Sequence, residues 1–133
     1  MTAKRKWALV LGASSGFGEA AALALARGGR NIFGVHLDRR AMLPNVERIT
    51  GEIDSAGARA EFFNVNAADA AKRAEVLASM SRTLEEEQNP GAVDVLLHSL
   101  AFVSPLLWRG PTVVTIYDLS FLLFPERFNA GNP

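Results

Sequence analysis

The 133-residue sequence contains no cysteine, which excludes disulfide bonds, thiolate nucleophiles and cysteine-ligated metal centres. Its two histidines, His36 and His98, stand far apart and have no cysteine to complete a zinc site, so no metal is expected. Acidic and basic residues balance at 14 each, which gives no electrostatic reason to expect nucleic acid or an anionic membrane surface as partner. No stretch approaches the ~18 consecutive apolar residues that a membrane span needs. The segment MTAKRKWALVLGASSG places basic residues before an apolar run. That run is too short for the core of a secretion signal, and glycine and serine interrupt it at once. A soluble, cytoplasmic protein is the expectation. Internal repeats and low-complexity linkers are also lacking.

What is present reads as an alternation. The hydrophobic share of 49% and the charged share of 21% are ordinary for one globular domain. Trp7–Leu11 (WALVL) is a continuous apolar run, as expected of a strand covered on both faces. The alanine-rich stretch after it predicts a helix that ends at Gly28 and Gly29. Residues 32–37 (IFGVHL) predict a second strand. Pro44 suits the first turn of a second helix, which carries Val46, Ile49 and Ile53 at helical spacing and ends at Gly57. Residues 60–65 (AEFFNV) predict strand three. A third helix is expected over about residues 68–88, with Val76, Leu77, Met80 and Leu84 on one face and a break at Asn89-Pro90-Gly91. Val93–Leu97 predicts strand four. With right-handed crossovers this gives an α/β protein. Its parallel sheet, in order 3-2-1-4, is the first part of a doubly wound Rossmann-type fold.

Between strand one and its helix lies Gly12-Ala13-Ser14-Ser15-Gly16-Phe17-Gly18. Gly12 can turn the chain off the strand. Gly16 lets backbone approach a pyrophosphate with no Cβ in the way. Gly18 lets helix and strand pack closely. The helix start then offers N–H groups and its positive dipole end to phosphate, with the Ser14 and Ser15 hydroxyls as further donors.

This loop resembles the cofactor loop of the short-chain dehydrogenases/reductases, and the likeness extends over residues 5–103. Asn64-Val65 stands where that family usually has Asp-Val beside the adenine, and an asparagine amide can still hydrogen-bond adenine. His98-Ser99-Leu100-Ala101-Phe102 is similar to the enoyl-thioester reductase branch, whose backbone there lies beside the nicotinamide ribose. The resemblance implies a nicotinamide dinucleotide as ligand. NAD enzymes usually hold the adenosine ribose with an acid near the end of strand two. In this family that position falls on His36, followed by Asp38, Arg39 and Arg40. Two guanidinium groups suit a 2′-phosphate, so NADP is expected. NAD stays open because Asp38 could turn to the ribose. The alternative for Arg39 and Arg40 is a solvated loop, and for His36 an ordinary strand-end residue.

The resembled family reduces with a tyrosine and a lysine placed after strand four. Here Tyr117 is the single tyrosine, Phe121 stands four residues on, and no lysine follows Lys72. No catalytic residue is therefore assigned. The carboxylates at 85–87 read as a solvated helix end. Ser99 beside His98 is no nucleophile pair, because strand neighbours point to opposite faces.

Residues 105–133 differ in kind. PTVVTIYDLSFLLFPERF resembles a segment of two-domain retaining glycosyltransferases of the GT-B kind, and DVLLHSLAFVSP suits either family, as a junction in a chimeric or truncated chain would. The expected division is 1–103, a dinucleotide-binding domain, and 104–133, a tail adding at most one strand, at 112–116. Apolar residues 121–124 and the unfinished sheet edge suggest self-association. Three function classes follow: a reductase relative, a non-catalytic nucleotide-binding module, and a glycosyltransferase fragment.

Overall fold

A computed structural model of the chain describes residues 4–98. Strand and helix alternate throughout: β1 (Trp7–Leu11), α1 (Gly16–Arg27), β2 (Asn31–His36), α2 (Leu43–Ser55), β3 (Ala60–Asn64), α3 (Ala70–Glu86) and β4 (Val93–Leu97). One 3-10 turn, Arg40–Met42, leads into α2. The four strands are parallel, in the order β3-β2-β1-β4. This is the expected Rossmann-type α/β sheet in its expected order.

Side-chain alternation builds two apolar layers. Ala8 and Val10 of β1 point to the face where Ala22 and Ala26 of α1 and Ile49 and Ile53 of α2 pack. Trp7 points to the other face and meets Phe33, Val35 and the α3 residues Val76 and Met80. All six residues of β2 are buried, as a central parallel strand covered on both sides requires. The alanines of α1 bring that helix close to the sheet. The chain changes faces after β3, so the strand order reverses between β1 and β4. In open α/β sheets, ligands bind beyond the carboxyl ends of the strands at such a reversal.

The opposite, amino end of the sheet is fastened by polar contacts. The Trp7 and Phe33 rings stack with centroids 3.9 Å apart. Trp7 Nε1 donates to Glu87 Oε2 over 2.9 Å, and Arg59 donates to the other Glu87 oxygen over 2.9 Å. Glu61 accepts from Ser79 and Thr83 of α3. Arg30 grips Asp94 with two hydrogen bonds, which ties the start of β2 to β4.

The structure corrects several boundaries. Strand two ends at His36, and Leu37 is 68% exposed beyond it. Strand three ends at Asn64 rather than residue 65. The third helix starts at Ala70, because the Asp69 carboxylate accepts from the Ala71 and Lys72 amides and caps it there. It ends at Glu86, before Gln88 turns to φ +50°. Leu77 is 58% exposed and does not face the core. The helix is rotated to bury Val76, Met80 and Thr83, the last of which reaches Glu61. No helix among the described residues is long and apolar enough to cross a membrane. The expected fifth strand, the tail from 104 and the apolar residues 121–124 lie outside the described residues.

The rotation of α3 makes a direct prediction for chemical denaturation. Leu77→Lys should change stability by less than about 0.5 kcal/mol, as surface substitutions do. Met80→Ala, one turn further on, should cost about 2–5 kcal/mol through the cavity it leaves.

Candidate cofactor site

The glycine loop folds as its residue types require. Gly12 takes φ +79° and Gly16 φ +54°, both in the left-handed region that favours glycine. The Gly12 and Ala13 amides both donate to Val35 O, at 2.8 and 3.2 Å, so the loop leaves β1 anchored to β2. Gly18 is the tightest point. A Cβ there would stand 1.9 Å from the Gly12 carbonyl oxygen. The start of α1 can therefore sit against the loop only with no side chain at 18. A Cβ built on Gly16 would meet nothing within 4 Å, so that backbone faces open space into which a phosphate could come.

Ser15 is the N-cap of α1 in extended conformation, and its side chain makes no capping hydrogen bond. Its hydroxyl is exposed and unspent, unlike the usual serine cap. Ser14 is buried within the loop. Glu19 N, bonded to Ser15 O, opens the helical ladder. Gly16 and Gly18 precede it in the first turn, where no helical carbonyl lies behind an amide. Phe17 projects from the same turn, 68% exposed.

The second helix braces this loop, which sequence reasoning missed. Asn45 Nδ2 donates to Ser14 O over 2.8 Å and reaches Glu19 Oε2. Arg48 pairs with Glu19 and with Glu52. The Arg48 hydrogen bond is the largest influence holding the Glu19 carboxyl below its ordinary value. These partners are about 30 residues apart in sequence, and no local pattern announces them.

The remaining strand ends close around the same place. The His36 ring is buried, with Nδ1 2.9 Å from Asp38 Oδ2. Asp38 N donates to Asn64 Oδ1 over 2.9 Å, and Asn64 Nδ2 donates to Asp38 O over 3.0 Å. The Asn64 amide thus fastens the loop after β2. Val65 N donates to His36 O over 2.8 Å, and its side chain packs against the α3 layer. Arg39 and Arg40 are exposed. No acid among the described residues pairs with either guanidinium. The structure therefore brings residues 12–18, 36–40 and 64–65 to one end of the sheet. Ser99, Leu100 and Ala101 lie outside the described residues.

A family model of the short chain dehydrogenases matches residues 6–105. The chain belongs to the short-chain dehydrogenase/reductase family. Among solved structures, an acetoin dehydrogenase from Salmonella typhimurium is 26% identical, with a TM-score of 0.54 over 70% of this chain and 35% of its own. A 3-ketoacyl-ACP reductase from Sinorhizobium meliloti is 28% identical, with a TM-score of 0.54 over 68% of this chain and 31% of its own. The promiscuous keto-reductase LugOII of lugdunomycin biosynthesis is 26% identical, with a TM-score of 0.60 over 74% of this chain and 38% of its own. This chain thus spans roughly a third of the length of these family members. No sequence among curated proteins matches it. Members of the family bind nicotinamide dinucleotides.

The two helix-start glycines should fail in different ways. Gly18→Ala should unfold the domain or lower its melting temperature sharply, because the clash is with backbone. Gly16→Ala should cost about 1–3 kcal/mol for its left-handed backbone and leave the circular dichroism spectrum native.

Proposed function

We propose that this chain holds a nicotinamide dinucleotide at the carboxyl ends of β1, β2 and β3, as the cofactor-binding part of a reductase-type oxidoreductase. The observation that carries the reading is the loop at 12–18. Gly18 brings the α1 start against it, Gly16 leaves the phosphate approach open, and the Ser15 hydroxyl is unspent. In this reading the pyrophosphate lies over the first turn of α1, where N–H groups and the helix dipole favour anions. Ser14 and Ser15 stand in the same loop. The adenosine end extends toward residues 36–40 and 64–65.

NADP is the preferred form in this reading, with NAD as the weaker ligand. The support is the pair Arg39 and Arg40, exposed and unpaired with any acid among the described residues, beside an Asp38 carboxylate already engaged by His36. Guanidinium groups match a phosphate in shape and charge. The adenine role of Asn64 becomes indirect, since its amide already serves the Asp38 backbone.

A bound nicotinamide supplies or accepts hydride. Turnover also needs a proton donor, and the sequence pairs Tyr117 with no lysine four residues on or anywhere beyond Lys72. The 133-residue chain is accordingly read as binding without turning over. The residues at 98–102 favour the enoyl-thioester reductase branch for its origin. The glycosyltransferase reading rests on the tail sequence PTVVTIYDLSF alone, and tight binding of a sugar nucleotide with none of NADPH would favour it.

Calorimetric titration tests the assignment. The parent chain should bind NADPH more tightly than NADH. Removing both Arg39 and Arg40 as alanines should weaken NADPH by about 10–100-fold, the worth of one charge-assisted hydrogen bond. NADH affinity should hardly move. Gly16→Val should abolish binding of both, and equal binding by that variant would remove the loop from the site. With crotonyl-type thioesters and simple ketones, NADPH oxidation should stay at the rate without protein, since losing the general acid alone costs about 10²–10⁴-fold.

A further inference from the structure

We infer that His36 and Asn64 are positioning residues that hold Asp38 away from the cofactor ribose, and that this clamp sets the preference for the phosphorylated dinucleotide. The inference rests on reading these strand ends as the cofactor site.

Asp38 is fixed at three points. Its amide and its carbonyl are both taken by the Asn64 carboxamide, from the end of the neighbouring strand. Its carboxylate lies on His36 Nδ1 at 2.9 Å. A carboxylate can only accept at neutral pH, so Nδ1 carries the proton and donates. The His36 side chain is only 3% exposed and that of Asp38 16%. The ring is itself confined. Phe62 of β3 stands 6.0 Å away in a tilted arrangement, over the space left free by Gly34, where a Cβ would come within 2.7 Å of the Phe62 ring. The Val65 amide holds the His36 carbonyl.

The consequence is chemical. An acid at the end of strand two serves NAD by accepting from the ribose hydroxyls, and the same charge repels a 2′-phosphate. It can do either only if its carboxylate faces the ribose. Here one carboxylate oxygen lies on a buried imidazole, the Asp38 side chain is itself only 16% exposed, and the backbone around it cannot swing without breaking two further hydrogen bonds. The residues left facing outward are Arg39 and Arg40. An acid, Asp38, lies two residues beyond the position that usually selects NAD, and the clamp holds it on His36. His36, which replaces the usual acid in the sequence pattern, does so by holding the next acid along.

The test is the ratio of NADH to NADPH dissociation constants, measured by calorimetry. His36→Ala should free Asp38 and lower that ratio about tenfold or more, by strengthening NADH and weakening NADPH, since one charge-assisted hydrogen bond is involved. His36→Asn keeps a donor near the Nδ1 position and should restore most of the parent ratio. A purely structural role for His36 would weaken both ligands together and leave the ratio unchanged in His36→Ala. That result overturns the clamp while the cofactor site stands. If the parent chain binds neither dinucleotide, the cofactor reading and the clamp both fall. Because His36→Ala empties a buried position and could unfold, the parent chain carries an independent test. With 15N-labelled histidine, the His36 ring N–H should give a downfield, exchange-protected proton signal both free and with NADPH. Loss of that signal on saturation with NADPH would mean that the carboxylate leaves His36 when the cofactor arrives, which overturns the proposal.

Discussion

The candidate site depends on one missing side chain. Gly18 lies so close to Gly12 that a Cβ would overlap the carbonyl oxygen at 1.9 Å. That contact sets where α1 begins, and with it the direction in which the helix start points. Because α1 is fixed there, its Glu19 is within reach of Asn45 and Arg48, and α2 is drawn in to brace the loop from outside. The alanines further along α1 keep the same close approach over the rest of the helix. An ordinary side chain at 18 would lift the helix off the loop, and the brace would be lost with it.

The two ends of the sheet do different work. At the amino end, Trp7, Arg59, Glu61, Glu87 and Thr83 satisfy one another and join β1 and β3 to α3. Those polar groups are already partnered, as a structural end requires. At the carboxyl end, hydrogen bonds run between loops, from the loop after β1 to β2 and from Asn64 to Asp38. They leave the Ser15 hydroxyl and the two arginines outward. The partnered polar contacts and the proposed cofactor site thus lie at opposite ends of the strands, and open α/β sheets generally bind ligands at the carboxyl end.

Much of this was legible in the sequence, for a physical reason. Strand apolar runs, the alanine-rich helix and the spacing of Gly12, Gly16 and Gly18 are local signals, and local signals survive in one dimension. The third helix shows the limit. Leu77 shares the hydrophobic character of its neighbours, but the face that packs on the sheet carries Val76, Met80 and Thr83, the last bonded to Glu61 across space, and Leu77 lies outside it. The site shows the same limit. Residues 36–40 could be placed at a strand end, but the sequence could not say that Asp38 is already spoken for by His36 and Asn64. Nor could it reveal Asn45, whose partner Ser14 lies 31 residues earlier.

The most direct measurement is a titration of the 15N-labelled chain with NADPH, followed by amide chemical shifts. If the dinucleotide lies where the loops converge, the shifts should concentrate at 12–18, 36–40 and 64–65. The amides around Lys4, Arg59 and Glu87 at the other end of the sheet should stay unmoved. Saturating NADPH that leaves the amides of Gly16 and Gly18 in place, or that moves the amino end instead, would contradict a cofactor site built on the glycine loop.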